Sequence, residues 1–217
     1  MNHVPMRILA ASAAPVRTTR RALAKQKTRE KVLAAARQLF VEHGYEAATI
    51  RDIAKAAGMS TGAVFASFSD KAELFDEILI EDFNAVYEPM TRAVAVAGNV
   101  DDAIRGIFTV AYDYCTAQLP LLRAGIAVSW TRGDVAEHRN RSALKPIFNR
   151  LNIALKEGVE RGELVADSDT LLISNILWDV YLAGYRGALY DGLSSGDLIA
   201  RMVEKTNVIL AGVRQRP

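Results

Sequence analysis

The stretch T-I-R-D-I-A-K-A-A-G-M-S-T-G-A-V-F-A-S-F, residues 49–68, constrains the fold of this chain more than any other. Its spacing predicts a helix, a corner at a glycine and a second short helix, which is how a helix-turn-helix reads in sequence. Thr49 suits an N-cap, and Asp52 three residues on completes a variant of the capping box. Ile50, Ile53, Ala54 and Ala57 recur at steps of three and four and form one apolar helical face. Ala54 is small where two steeply crossing helices bring their backbones together. Gly58 stands where the chain needs a positive φ, which only glycine adopts without strain. Met59 can fill the corner, Ser60 can cap the second helix, and Val64 and Phe68 anchor that helix inward. Thr61, Gly62, Ala63 and Ser67 are left facing out.

A glycine-centred helix pair can occur in any small helical hairpin, so the flanks matter. Upstream, T-R-E-K-V-L-A-A-A-R-Q-L-F-V-E-H-G-Y is one amphipathic helix with Thr28 as its cap and Gly44 as its stop. Val32, Leu33, Ala36, Leu39 and Phe40 form its inward stripe, and Tyr45 can fold back on it. Downstream, F-S-D-K-A-E-L-F opens a further helix, with Asp70 as cap and Glu73 three residues later. The series A-A-R-Q-L-F, H-G-Y, A-T-I-R-D-I-A-K-A-A-G-M-S-T-G-A-V-F and F-S-D-K-A-E-L-F resembles the DNA-binding domain of the TetR family of bacterial transcriptional regulators. The resemblance runs over residues 28–79, roughly a quarter of the chain, and many spaced positions agree at once.

With 217 residues, 50% hydrophobic and 24% charged, the composition is that of a globular protein. No apolar run approaches the ~18 residues of a membrane helix. Cys115 is the only cysteine, which excludes an intramolecular disulfide and a thiol metal cluster, and it reads as a small buried hydrophobe. The net charge is only +2. Its distribution is more informative: residues 1–27 hold Arg7, Arg17, Arg20, Arg21, Lys25 and Lys27 and no acid. Residues 28–76 balance six bases against seven acids. The expected division is therefore a basic, irregular arm over 1–27, a helix-turn-helix domain over 28–76, and a ligand-binding and dimerisation domain over 77–217. The apolar run I-L-A-A-S-A-A is too short for an export signal and precedes its arginines, so the expected location is the cytoplasm. The arm reads either as solvated padding or as a phosphate or minor-groove contact.

Beyond the headpiece every segment has helical period, and the fold class expected is all-α. A helix over about 70–97 carries Leu74, Phe75, Ile78, Leu79, Phe83, Val86 and Tyr87, with a kink or break expected near Glu88 because Pro89 follows. Further helices are expected from Asp101, from Pro120, over about 143–161, over 170–190 and over 198–213, with a polar interruption at 131–141. The helix over 170–190 is apolar nearly all round, which predicts burial on more than one side.

On DNA, the first residues of the second motif helix meet base edges in the major groove. Here those are Ser60, Thr61, Gly62, Ala63 and Phe65, and no charged residue lies between Ala56 and Ser69. The bidentate arginine–guanine contact is thus unavailable to this helix. Hydroxyl bonding from Thr61 and Ser67 and thymine-methyl contact from Ala63 and Phe65 remain. The resembled family often has tyrosine where Phe65 stands, so the phenol contact is missing. Phosphate contacts are expected from Arg51, from Lys71 at the start of the following helix, and from Lys27 and Thr28.

The resemblance implies a small-molecule effector inside the C-terminal helices, a homodimer built from the last two helices, and double-stranded operator DNA as partner. Candidate lining residues for a small, largely apolar or aromatic effector are Tyr87, Phe108, Tyr112, Trp130, Phe148, Trp178, Asp179, Tyr181 and Tyr185, with Phe83 beside them. Asp113, Arg123, Asp179 and Arg186 could orient it, and Asp179 could instead simply pair with Arg186 or Arg123. Ile199, Met202, Thr206, Ile209 and Val213 make a seam at steps of three and four, and Gly184, Gly187 and Ala188 a smooth facing surface. These two faces read either as a dimer interface or as packing within one subunit. A two-fold dimer suits palindromic DNA, with recognition helices about 34 Å apart. His3, His43 and His138 are scattered, and no G-x-S-x-G, H-E-x-x-H or phosphate loop is present, so neither enzyme, metal site nor cofactor is expected. An all-α dimeric adaptor that never binds DNA, and an activator of the same fold, are the competing readings.

Overall fold

A computed structural model describes residues 20–130 and 133–215; residues 1–19 of the proposed arm lie outside the described residues. The described chain is all-α: α1 (Arg20–His43), α2 (Ile50–Ala56), α3 (Thr61–Phe65), α4 (Lys71–Ala95), α5 (Val100–Thr116), α6 (Leu119–Ser129), α7 (Asp134–Glu160), α8 (Thr170–Tyr190) and α9 (Ser195–Leu210). The one departure from helix and turn among them is an isolated antiparallel bridge between Leu164 and Arg214.

The apolar stripes generate two cores. In the first, Val32, Leu33, Ala36 and Phe40 of α1 meet Ile53, Ala54, Val64, Phe68, Leu74, Phe75 and Ile78. Phe40, Tyr45 and Phe75 form an aromatic trio with centroids 5.0–5.8 Å apart. Full burial of a ring such as Phe40 contributes about 2–3 kcal/mol. The second core gathers the inward faces of α4, α5, α7, α8 and α9 around Phe108, Tyr112, Leu151, Leu155, Leu177 and Tyr181. Leu121 and Ala124 of α6 are buried in the first core, although α6 follows α5 in the chain. The C-terminal unit therefore inserts a helix face into the headpiece.

The last helix, expected over 198–213, spans Ser195–Leu210 and leaves Val213 in the turn after it. Three further differences from the sequence reading each have a physical reason. α1 begins at Arg20, so Thr28 lies half-buried inside the helix and does not cap it. The segment A-L-A-K-Q-K consists of strong helix formers, and nothing in it stops propagation. α7 begins at Asp134, about nine residues early, because a polar sequence is not a helix-breaking one. Asp134 and Glu137 favour its first turn and Arg141 pairs with Glu137 one turn on. α4 runs unbroken through Pro89. An interior proline costs about 3 kcal/mol; burial of Val86, Met90 and Val94 on both sides of it offsets that.

Candidate functional site

The corner of the headpiece is built by local bonds. Thr49 accepts from the Asp52 amide (3.2 Å) and Ser60 from the Ala63 amide (3.2 Å), so both motif helices are side-chain capped. Gly58 has φ 68°, and Met59 N–H donates to the Ala54 carbonyl (2.9 Å) to close the turn. Thr61 and Gly62 are exposed, as is Phe65 at 54% of its surface, while Ala63 and Ser67 are half-buried. The Ser60 oxygen is engaged as an acceptor by the cap. Arg51 and Lys27 are exposed.

Lys71 is placed differently from the sequence expectation. Its ammonium donates to the Tyr45 (2.8 Å) and Glu46 (3.2 Å) carbonyls and lies 4.4 Å from the Tyr45 ring centroid. It ties α4 to the turn after α1, and is not a free phosphate contact in this arrangement. Arg29, which sequence reasoning missed, does comparable work at the other end of the motif. It donates to the Ser67 carbonyl (3.0 Å), pairs with Glu77 (2.6 Å) and covers the Phe68 ring at 4.2 Å. No local spacing signals a contact that joins positions 38 residues apart.

The domains are bolted together at Arg37. Its guanidinium donates to Asp82 (2.6 Å), the Ile78 carbonyl (3.3 Å) and the Gln118 side chain (3.0 Å). Tyr114 donates its hydroxyl to the same Asp82 oxygen (2.8 Å). One cation thus connects α1, α4, the end of α5 and the N-cap of α6. A carboxylate with a short guanidinium contact and a phenol donor is a charge-assisted network.

The ligand candidates separate into two groups. Phe108, Tyr112, Trp178, Tyr181 and Tyr185 stand together, with ring centroids 4.9–6.1 Å apart. Tyr112 donates to the Tyr181 carbonyl (3.1 Å), the Tyr181 and Tyr185 hydroxyls touch, and Cys115 Sγ lies 3.2 Å from the Tyr185 oxygen. Gly184 is required here, since a Cβ on it would run into the Tyr112 hydroxyl. The other candidates are elsewhere: Trp130 is 87% exposed, Tyr87 is exposed, Phe148 is half-buried, and Phe83 packs at the margin of the core. Asp179 and Asp113 face outward, and Arg123 and Arg186 both approach the Tyr190 ring, at 5.8 and 5.5 Å. Asp179 forms no ion pair with either. A shallow cleft of about 60 Å³ opens beside Phe108, between α5 and α9.

Burial pushes the phenols of Tyr112, Tyr181 and Tyr185 well above their ordinary range, and pushes the Cys115 thiol up as well. An acid whose folded pKa is raised stabilises the fold in its neutral form, and that stabilisation is lost as pH rises above the unfolded value. Stability should therefore hold to about pH 8.5 and fall steeply beyond about pH 10. Denaturant midpoints taken across that range check this, and a Tyr181→Phe/Tyr185→Phe variant should show the flatter curve.

The seam on α9 turns inward in the subunit. Met202 and Thr206 are buried, and Ile199, Ile209 and Val213 are half-buried against the second core. Gly187 and Ala188 are buried too, and Gly184 faces Tyr112. What α8 leaves outside is instead Leu171, Leu172, Ile176 and Leu182, with Val208 exposed on α9. The helix is apolar nearly all round, yet one of its sides, which also carries Asn175, Asp179 and Arg186, faces solvent in the single chain.

Residues 32–78 match the sequence model of the family described as "Bacterial regulatory proteins, tetR family". The chain is 34% identical to the HTH-type transcriptional repressor AcnR of Corynebacterium efficiens over 174 residues, which span 79% of this chain and 86% of that protein. The chain belongs to the tetR family of bacterial regulatory proteins. Another relative is the HTH-type transcriptional repressor KstR2 of Mycobacterium tuberculosis, 27% identical over 192 residues that cover 85% of this chain and 92% of that one. Among solved structures, FadR from Bacillus subtilis in complex with stearoyl-CoA superposes with a TM-score of 0.72. It is 18% identical and covers 85% of this chain and 99% of its own, which is a likeness of fold. This tetR-family chain has the fold its sequence implied, an N-terminal helix-turn-helix domain and a C-terminal helical one, and relatives that are named repressors rather than enzymes. Among the described residues, no helix is long and apolar enough to cross a membrane.

Proposed function

We propose that the protein is a ligand-responsive repressor that binds a palindromic operator as a homodimer and is released by a small, largely apolar molecule. The observation that carries this reading is the outer face of α3. Thr61, Gly62 and Phe65 are presented to solvent on a short helix whose other side, Val64, is fully buried in the headpiece core. A rigid uncharged ridge of this kind suits hydroxyl and methyl readout in the major groove. Selection of bound genomic fragments by the purified protein tests the reading and returns both operator and neighbouring genes. Enrichment of no fragment over bulk DNA would instead support the adaptor reading.

The tyrosine cluster is the effector site in this reading. Its polar groups are hydroxyls and one thiol, and no cation faces them among the described residues, so they suit a neutral acceptor on an apolar body more than a free carboxylate. An effector entering here must part Tyr112, Tyr181 and Tyr185, and so move α5 against α8. Tenfold release of DNA needs about 1.4 kcal/mol of preference for the non-binding arrangement.

The exposed side of α8 is the proposed dimer surface, since Leu171, Leu172, Ile176 and Leu182 lie open to a second copy on either side of the polar Asn175, Asp179 and Arg186. Ile176→Asp combined with Leu182→Asp should convert a dimer to a monomer in sedimentation, with helical content kept. A variant that still sediments as the wild type does would place the interface elsewhere.

A further inference from the structure

Resting on the DNA-binding reading, we propose that the first two turns of α1 are a rigid, helical phosphate clamp, and that they supply most of the salt-dependent affinity for DNA. Residues 20–27 are all exposed and belong to a helix that the headpiece core engages only from Val32 onward. Even Leu23 is 48% exposed, so no packing explains this extension. It carries Arg20, Arg21, Lys25 and Lys27, no acid occurs before Glu30, and none of the four forms an ion pair with a described residue.

The headpiece needs such a source, because half of its own cations are engaged. Arg29 is held by Glu77 and the Ser67 carbonyl, Arg37 by Asp82, and Lys71 by two backbone carbonyls. That leaves Lys31, Arg51 and Lys55 exposed, beside an α3 without charge. Non-specific affinity for duplex DNA rises with each phosphate neutralised. Two headpieces in a dimer then bring six free cations, only the lower end of the six to ten phosphate contacts typical of strongly salt-dependent binders.

Geometry places the extension beside the recognition helix. Arg29 touches the carbonyl of Ser67, two residues past the end of α3, so α1 passes that end of the helix at position 29. Lys25 and Arg21 lie four and eight residues back on the same helical row, roughly 6 and 12 Å further along the axis. They carry α1 onward past the C-terminal end of α3. Arg20, Lys27 and Lys31 form a second row, turned roughly 140° around the helix from the first. A helix holds these charges at fixed spacing, so they lose less freedom on binding than a flexible tail would.

The test is the slope of log affinity against log salt, measured with the full chain on a mixed-sequence duplex longer than two helical turns. Glutamine keeps helix propensity close to that of lysine and arginine, so helical content should not change. Arg20→Gln/Arg21→Gln/Lys25→Gln/Lys27→Gln should reduce the slope by about three to four per bound subunit, and Arg21→Gln/Lys25→Gln by about two per bound subunit, at ~0.9 per contact. Lys145→Gln/Lys156→Gln, on the exposed side of α7, changes net charge as much as the double variant and should leave the slope unaltered. An unaltered slope in the quadruple variant, or an equal fall in the α7 control, overturns the clamp while leaving the helix-turn-helix reading intact. A wild-type chain that binds no duplex at any salt overturns that reading itself.

Discussion

Gly62→Glu should abolish operator binding while leaving the fold at least as stable. The glycine is exposed on α3, its φ is negative, and a Cβ there meets nothing closer than Ser60 Oγ at 3.9 Å. Replacing a helical glycine gains up to about 1 kcal/mol, and an acid in the first turn of a helix adds a few tenths. In the groove the same carboxylate would sit between two phosphate backbones, and like charges brought together at an interface cost several kcal/mol. The expected result is a loss of at least about a hundredfold in affinity, some 2.7 kcal/mol, at an unchanged or higher thermal midpoint. A variant that kept wild-type affinity would show that α3 does not enter DNA.

Arg37→Met should uncouple the two domains. It leaves Asp82, whose side chain is only 13% exposed, with the Tyr114 hydroxyl and without its cation. Breaking a buried pair by removing one member costs 3–5 kcal/mol, and the partial exposure of Arg37 here lowers the expected loss to about 2–3 kcal/mol. Trp130 and Trp178 are the only tryptophans and both lie outside the headpiece, so their fluorescence reports the C-terminal helices. In the wild type, thermal unfolding followed by fluorescence and by circular dichroism should coincide. In the variant the circular dichroism transition should begin at lower temperature, as the headpiece melts first. Coincident transitions in Arg37→Met would mean that the buried face of α6, Leu121 and Ala124, joins the domains unaided.

The same two regions show where sequence reasoning was strong. The Thr49 and Ser60 caps, the positive φ of Gly58 and the burial of Val64 and Phe68 are consequences of bonds within a few residues, and all were legible. The helix over 170–190 was likewise legible to the residue. Element starts failed where polarity was read as loop, as in α7, and where a possible cap was read as an actual one, as at Thr28. A capping residue begins a helix only if the chain before it cannot itself be helical.

Side-chain partnership was not legible. Lys71 and Arg29 each look like free surface cations in sequence, yet one binds the Tyr45 and Glu46 carbonyls and the other the Ser67 carbonyl and Glu77. Of nine aromatic and acidic ligand candidates, five converge and four do not, although all have the same helical spacing. The α9 seam has the period of a helix–helix contact, but period does not say whether the facing helix belongs to the same subunit.

From the amino-acid order alone came the helix-turn-helix, its caps and its glycine corner, the all-helical class and the excess of positive charge at the start of the chain. These depend on backbone sterics and on hydrogen bonds that close over three or four residues. Only the tertiary structure decided which cations remain free, which tyrosines meet, which face of α8 stays open and that α6 is buried in the headpiece. Those outcomes depend on contacts between positions tens of residues apart, where many pairings share one pattern and packing selects among them.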